Sequence, residues 1–472
     1  MFSLSFSKLF KLQGKSSICL LSLAAASLLA VGCGGAMDST NAVTSSVTGP
    51  AFVVGTDAPL ASVTSFSVQL VSVNAIDASG KSTSLVSGTP TVDFARFNGL
   101  QTLLDMNDVP ADTYTGVQIV LGTANIGYLN TVAGSAPTIA SKVASFTTNT
   151  VNITLATPLV VTQTSPVGLH MDFDLRKSIQ VDSNGQITGT VTPTFNVNTV
   201  GPTDAGAYVD EFDAAVVSVN TTAQSFVVQG PHGRNFTVNV TGNTEWDNSE
   251  SLSSLTTSSI VQISGELDRA DATIDADEVA ILSQNGFYAD GQVTYVTPAS
   301  GAATSFDLYV RGLLPTTTGL TLGQIAQVNL SGQENFFIYR QHNILSQFLF
   351  NSTLMLPGQA VAIGGPASGA TNSQAVTTKR VVLRHWGYNG TVVAGSLNPA
   401  ANTFQMHVDG FAGLLIPQTV TVYVSGPTVF RSGLTAFSSV TASTNVRVVG
   451  LLVKDPVSGQ TVLLARYVDA LN

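Results

Sequence analysis

A chain of 472 residues is too long for a single hydrophobic core, and at about 100 to 200 residues per domain it should form three or four domains. The formal net charge is −10, which argues against electrostatic binding to phosphate backbones or anionic lipid, so nucleic acid is not expected as a partner. The chain has two cysteines, Cys19 and Cys33, which excludes a disulfide-rich scaffold.

The N-terminal 32 residues have the layout of a secretory signal peptide. Lys8, Lys11 and Lys15 precede an apolar run from Ile18 to Val31. A membrane-spanning helix needs about 20 apolar residues, so this run is too short to remain as an anchor. We therefore predict that residues 1–32 are removed.

The apolar run ends in Leu29-Ala30-Val31-Gly32-Cys33. Small residues directly before a cysteine resemble the lipobox of bacterial lipoproteins. The resemblance implies a diacylglyceryl group on the Cys33 thiol and cleavage on its N-terminal side. The alternative is an ordinary signal peptide in which Cys33 has no role. Gly34 after the cysteine favours sorting to the outer membrane, and whether the protein would face the periplasm or the exterior stays open.

Residues 33–50 would form the lipidated cysteine and a flexible tether, because small and polar residues dominate this stretch. Beyond Gly49, apolar and polar residues alternate, Val and Thr are frequent, and only 10% of residues are charged. This pattern predicts an all-β protein. Asparagine-glycine pairs mark turns at Asn98-Gly99, Asn184-Gly185, Asn285-Gly286 and Asn389-Gly390.

The predicted strands between residues 51 and 200 form the first domain. A change in the apolar phase between Leu70 and Val71 predicts a bulge or bend. The segment resembles the uncharacterised bacterial family called domain of unknown function 4382, on Thr56-Asp57-Ala58-Pro59, Val109-Pro110-Ala111 with Tyr114, and Met171-Asp172-Phe173-Asp174. The resemblance implies a β-sandwich of the transthyretin or immunoglobulin-like kind, and it implies no activity.

Three repeats follow, over residues 208–284, 288–386 and 387–472, which we call the first, second and third repeat. Phe226, Phe306 and Phe404 begin equivalent strands, and each repeat later carries Val-x-Φ-x-Gly, where Φ is apolar. The pattern is similar to domain of unknown function 5666 and implies small barrels of the OB-like kind. We predict that the three phenylalanines point into the cores.

Two groups of side chains resemble metal or catalytic sites. His170, Asp172 and Asp174 alternate on one strand, but a straight strand does not bring its ligands together around one ion. An acidic patch is the second group, and a charged turn explains it as well as calcium does; it comprises Asp268, Asp271, Asp275, Asp277 and Glu278.

The remaining histidines are His232, His342, His385 and His407, which are scattered and lack zinc or triad spacings. We predict no catalytic residues, no metal and no cofactor.

Aromatic residues provide the candidate ligand surface. Phe336, Phe337, Tyr339, Phe348 and Phe350 cluster in the second repeat, and most of them should fill its core. The exposed minority would stack against a ligand, and the candidates are Phe348, Trp386 and Tyr388.

The sequence therefore predicts a lipid-anchored cell-envelope protein of non-catalytic function, either a binding module or a structural component. Its partners would be the membrane, through the lipid, and an envelope glycan or a protein. A carbohydrate- or protein-binding surface adhesin is the alternative, followed by an envelope hydrolase with an unrecognised site. Burial of Phe348 and Trp386 would argue against the aromatic ligand surface.

Overall fold

The structure is a computed structural model of the chain. It describes residues 47–58, 63–97, 102–130, 136–163, 167–183, 186–201, 208–229, 235–246, 250–267, 273–284, 286–314, 319–338, 348–366, 374–409, 415 and 419–471. Several predictions lie outside these residues: the signal peptide, Cys33 and most of the tether, the turn residues Asn98-Gly99, Asn184-Gly185 and Asn285, and Asp268, Asp271, His232, His342 and Tyr339.

The all-β prediction is confirmed. Helix α1 (Leu175–Ser178) is a single turn, and short 3-10 segments occupy Phe94–Arg96, Leu252–Ser254, Ser352–Leu354 and Phe437–Ser439. High contents of Val and Thr explain this preference, because branched side chains fit the surface of a pleated sheet.

The N-terminal domain contains thirteen strands: β1 (Thr48–Ala58), β2 (Val63–Asp77), β3 (Ser82–Ser84), β4 (Thr91–Asp93), β5 (Thr102–Pro110), β6 (Thr113–Asn130), β7 (Thr138–Val143), β8 (Ser145–Phe146), β9 (Thr150–Val160), β10 (Val167–Asp174), β11 (Ile179–Val181), β12 (Ile187–Val191) and β13 (Phe195–Val200). One sheet has the order β13-β10-β1-β5. A second has the order β3-β2-β6-β7, with β4 and β9 attached, and a small third sheet is β11-β12-β8.

One hydrophobic core unites this domain. The rings of Phe173 and Phe195 stack with centroids 4.2 Å apart, and Phe66 meets Phe173 edge-on at 5.1 Å. The predicted bend is present, because the pairing of β2 with β6 shifts on both sides of Leu70. Val71 is consequently exposed, in contrast to the buried Leu70.

The strands of the first repeat are β14 (Tyr208–Asn220), β15 (Ser225–Gln229), β16 (Asn235–Asn239), β17 (Glu245–Trp246), β18 (Ser259–Leu267) and β19 (Ile274–Gln284). Those of the second are β20 (Gly286–Thr297), β21 (Ser305–Leu314), β22 (Ile325–Asn329), β23 (Asn335–Ile338), β24 (Ala360–Pro366), β25 (Ala375–Thr377) and β26 (Arg380–Arg384). Those of the third are β27 (Trp386–Val392), β28 (Thr403–Val408), β29 (Thr419–Arg431), β30 (Asn445–Lys454) and β31 (Thr461–Ala470).

The three repeats share one pattern of strand pairing. In the third repeat, β27, β28, β29, β31 and β30 form a closed barrel. In the first, β14-β15-β16-β19-β18 close a ring in the same order. In the second, the strand equivalent to β19 is divided into β25 and β26, which pair with β22 and β24 respectively.

Equivalent residues occupy equivalent places in the repeats. Phe226, Phe306 and Phe404 are all fully buried, which confirms the prediction that they point into the cores. Gly265 and Gly450 both lie at a bulge, in the equivalent strands β18 and β30. A Cβ atom added at either glycine would lie 2.1 or 2.2 Å from a backbone carbonyl oxygen of the neighbouring strand, so only glycine fits there.

A short hydrogen-bonded loop also recurs. In the first repeat, Thr244 Oγ1 accepts from the Thr241 amide at 2.9 Å and donates to the Ala276 carbonyl at 2.7 Å. In the third repeat, Thr428 Oγ1 accepts from the Ser425 amide at 3.0 Å and donates to the Ala465 carbonyl at 2.7 Å. In the second, Ser331 and Glu334 form the corresponding contact.

Hydrophobic clusters cross the predicted boundaries. Phe52, Val54 and Leu103 of the N-terminal domain belong to the core of the first repeat. Side chains of the third repeat, Leu451, Val453 and Val462, belong to the core of the second. The division of residues 51–472 into four separate domains at those boundaries therefore stays a prediction.

Candidate functional site

A cavity of about 310 Å³ opens on the third repeat. Its walls come from the turn before β28, the middle of β29 and the facing segments of β30 and β31, together with His385 at the end of the second repeat. The lining residues are His385, Ala401, Asn402, Tyr423, Val424, Ser425, Gly426, Pro427, Thr428, Leu451, Leu464, Ala465 and Arg466. We call this cavity the third-repeat pocket.

The backbone geometry of the barrel builds the pocket. Asn402 has a left-handed φ of 50°, and its carbonyl accepts from the Val424 amide at 2.9 Å. Strand β29 pairs in parallel with β31, and the register shifts between Val424 and Val429. That shift accommodates the loop from Ser425 to Thr428, whose residues line the pocket.

The lining combines apolar and hydrogen-bonding groups. Leu451 and Leu464 provide apolar wall, and the ring of Tyr423 is partly exposed. His385, Asn402 and Arg466 add polar side chains at different points around it. This composition is typical of a site for a small polar ligand, which needs a shaped apolar wall and a few orienting groups.

The structure corrects the expectation of an exposed aromatic surface. Phe348 is 3% exposed, Trp386 8% and Tyr388 1%. The Tyr388 hydroxyl donates to the Gly358 carbonyl at 3.0 Å, and burial raises its pKa far above the usual range. The guanidinium of Arg311 lies 4.4 Å from the centroid of the Trp386 ring. All three side chains are buried because they lie where the second and third repeats pack together.

Phe348 and the residue before Trp386 nevertheless adjoin the third-repeat pocket. Phe348 meets the ring of Tyr423 edge-on, with centroids 5.7 Å apart, and so supports one wall from behind. His385, which sequence reasoning treated as an isolated histidine, precedes Trp386 and lines the pocket.

Asp275 and Asp277 of the predicted acidic patch occupy the equivalent place in the first repeat, whereas Glu278 is buried. Strand pairing makes Asp275 equivalent to Leu464, and Asp277 equivalent to Arg466. Asp275 and Asp277 are both exposed. Asp275 Oδ1 accepts from Asn239 Nδ2 at 3.0 Å. Within the part of the chain that the structure describes, no three His, Cys, Asp or Glu side chains are grouped closely enough to hold a metal ion.

His170, Asp172 and Asp174 all lie on β10, and Asp174 has a structural role. Asp174 caps helix α1, since its carboxylate accepts from the Lys177 amide at 3.0 Å and pairs with the Lys177 ammonium at 2.9 Å. Asp172 accepts from Asn196 at 3.2 Å, and burial raises its pKa. Burial lowers the pKa of His170.

A buried polar cluster joins the first and second repeats. The carboxylate of Asp213 accepts from Gln262 at 2.9 Å, from the Tyr288 hydroxyl at 2.8 Å and from Arg384 at 3.1 Å. Arg384 also pairs with Asp290 at 3.1 Å. Because Arg384 of the second repeat lies between two largely buried carboxylates, one of them from the first repeat, the cluster is suited to holding the two repeats together.

Sequence reasoning missed Asn402, Tyr423, Ser425 and Arg466 as site residues. One signal was available for Arg466, because an arginine interrupts the apolar run from Val462 to Val468 in a chain with only 19 basic residues. The recurring loops that begin at Thr241, Ser331 and Ser425 were a second signal.

Comparison with known families identifies the N-terminal domain. Residues 51–190 match the family model of Domain of unknown function (DUF4382). The prediction of this family for the N-terminal domain is thereby confirmed. A comparison with curated proteins finds no match for the chain. No helix among the described residues has both the length and the apolar character that crossing a membrane requires.

Proposed function

We propose that this protein is a non-catalytic binding protein of the cell envelope, anchored by lipid on Cys33, and that the third-repeat pocket is its binding site. The observation that carries the proposal is the combination of an aromatic ring, an apolar wall and several hydrogen-bonding side chains around one cavity. The ligand is a small polar molecule, such as the end of an envelope glycan.

The chemistry of the lining favours binding over catalysis. Hydrolysis by a serine needs a base oriented by a third group, and glycoside hydrolysis needs two carboxyl groups. Among the described residues that line the pocket, none has a carboxylate. Thr428 is committed to the loop, because its hydroxyl already accepts from Ser425 and donates to Ala465.

A structural role is the second candidate, and the shared cores favour it. Side chains of the third repeat complete the core of the second, and the Asp213–Arg384 pair joins the second repeat to the first. A chain held together in this way would also serve as a spacer. The same proposal includes the finer fold classes. The N-terminal domain would be a transthyretin- or immunoglobulin-like sandwich, and the three repeats would be OB-like barrels related to domain of unknown function 5666.

The lipid anchor rests on the small residues before Cys33. Replacing Cys33→Ala should abolish labelling by fatty acid and release the protein from the membrane fraction or leave it unprocessed. Unchanged labelling and fractionation of this variant would refute the anchor.

Binding is tested by filling the pocket. Gly426 is exposed, and a Cβ added there meets no atom within 4 Å, so Gly426→Trp should fold and obstruct the mouth. Gly242 is the equivalent residue of the first repeat and is equally open, which makes Gly242→Trp the matched control. Full-length protein in detergent is titrated calorimetrically with fractionated envelope oligosaccharides.

The binding proposal predicts that at least one fraction binds the wild-type protein and the Gly242→Trp variant but not the Gly426→Trp variant. Binding that survives in Gly426→Trp would place the site elsewhere. If no fraction binds the wild-type protein, the purely structural role is favoured.

A further inference from the structure

We propose that the third-repeat pocket recognises a sugar that carries a carboxylate, and that Arg466 is the residue that selects the acidic group. This inference rests on the proposed function and adds the chemical class of the ligand. It depends on the charge of the lining, on the comparison with the first repeat, and on the shape of the wall.

The lining carries positive charge and no negative charge among the described residues. Arg466 is always protonated, and no Asp or Glu is among the described residues that line the cavity. The whole chain has 29 acidic and 19 basic residues. Arg466 can therefore offer a positively charged group to a ligand in a lining whose described residues bring no carboxylate of their own.

The first repeat shows that the fold does not require an arginine at this position. Asp277 occupies the place of Arg466, and both follow an alanine whose carbonyl accepts from the equivalent loop threonine of its own repeat. The neighbouring position is Asp275 in the first repeat and Leu464 in the third. The same scaffold therefore presents an acidic surface in one repeat and a cationic, partly apolar pocket in the other.

The guanidinium of Arg466 suits a carboxylate. It has five N–H donors in a planar fork that matches two carboxylate oxygens, so it can contact protein groups and a ligand at the same time. Its side chain is partly buried, and its guanidinium lies 4.7 Å from the centroid of the Tyr467 ring. Stacking on an aromatic ring limits the motion of the fork before the ligand arrives.

The remaining wall suits a sugar ring. The aromatic ring of Tyr423 is partly exposed, and Phe348 supports it from behind. The C–H face of a sugar packs on such a ring, whose face is electron-rich. Asn402 and His385 can both donate and accept hydrogen bonds, as sugar hydroxyls also do. A volume of about 310 Å³ lies at the small end of ligand pockets, which fits one terminal residue of a glycan.

The test compares an acidic sugar with its neutral forms on full-length protein in detergent. The ligands are glucuronic acid, its methyl ester and glucose, with an acetylated dipeptide that has a free carboxylate as the peptide control. The variants are Arg466→Gln, which removes the charge, and Arg466→Lys, which keeps the charge but not the fork. Lys454→Gln is the matched control, since it removes one positive charge from β30 of the same repeat outside the pocket lining.

We expect glucuronic acid to bind wild-type protein about ten to a hundred times more tightly than its methyl ester, because a hydrogen bond to a charged group is lost in the ester. Arg466→Gln should abolish this preference, Arg466→Lys should keep part of it, and Lys454→Gln should leave it unchanged. If Arg466→Gln does not fold, as judged by circular dichroism, Arg466→Lys alone must reduce the preference.

Equal affinity for the acid and the ester in wild-type protein would overturn the inference, and so would a preference that persists in both Arg466 variants. Tighter binding of the dipeptide would overturn it in favour of a protein ligand. If none of these probes binds while an envelope fraction still binds in a manner blocked by Gly426→Trp, this inference fails and the proposed function stands. If nothing binds at all, both fail.

Discussion

The first and third repeats build the same ring of five strands and differ in what their equivalent surfaces carry. Phe226 and Phe404 fill the cores, while Gly265 and Gly450 lie at equivalent bulges. On the outward surface, the position that Asp277 holds in the first repeat is held by Arg466 in the third. Residues that satisfy the geometry of the barrel are thus retained, whereas residues that face outward depend on what each surface contacts.

The packing partners of the two repeats explain part of this difference. The third repeat inserts Leu451, Val453 and Val462 into the core of the second, so apolar residues are required on that surface. The surface of the first repeat at Asp275 and Asp277 is exposed, and charged residues cost nothing there. Arg466 is neither inserted into the core of the second repeat nor fully exposed, because it lies partly buried at the edge of the pocket.

The largest expected effect comes from the core phenylalanines. Phe226→Ala and Phe404→Ala should each lower the free energy of unfolding by about 3 to 5 kcal/mol, because apolar contacts are lost and a cavity remains. Chemical denaturation measures the change, and Gln405→Ala, at an exposed position beside Phe404, serves as the control. A loss below about 1 kcal/mol in only one repeat would break the equivalence of the two cores.

The loop threonines should give a smaller effect. Thr244→Val and Thr428→Val each leave a backbone amide and a carbonyl without a partner, at a cost of about 1 to 3 kcal/mol. Chemical denaturation should show a similar decrease in the free energy of unfolding for both variants. Only Thr428→Val should also weaken ligand binding. Weaker binding in Thr244→Val would show that the pocket is not confined to the third repeat.

The smallest effect is a pH dependence where the N-terminal domain faces the third repeat. Burial lowers the pKa of His170, Asp172 opposes the shift, and Arg431 of the third repeat adds to it. As the pH falls below about 6.5, His170 is therefore protonated in the unfolded chain before it is protonated in the folded protein. Protonation of the unfolded chain lowers the free energy of unfolding, and this loss continues until the pH reaches the lower pKa of His170 in the folded state.

Stability measured from about pH 7.5 down to about pH 5.5 should consequently fall less steeply in His170→Gln than in the wild-type protein. Arg431→Gln should raise the pKa of His170 in an NMR titration. An unchanged pKa in that variant would mean that the third repeat does not influence this histidine.

Much of the fold could be predicted because its determinants are local. Alternation of apolar and polar residues indicates strands, and repeated Phe and Gly positions indicate equivalent strands. The pocket could not be predicted in the same way, since Asn402 precedes β28, Tyr423 lies on β29 and Arg466 on β31. They meet only through the parallel register of β29 with β31 and the hydrogen bond from Val424 to Asn402. Burial of Phe348 and Trp386 was missed because each repeat was considered in isolation, whereas these side chains fill the contact between two repeats.

The central claim is that the third repeat, and not the first, carries the binding site. Hydrogen exchange measured by mass spectrometry on the full-length protein, with and without the envelope oligosaccharide fraction that binds, tests it directly. We predict protection in the segments around Asn402, residues 423–428 and residues 464–466, with no change in residues 239–244 and 275–277 of the first repeat. Protection confined to the first repeat, or binding that leaves the third-repeat segments unprotected, would contradict the claim.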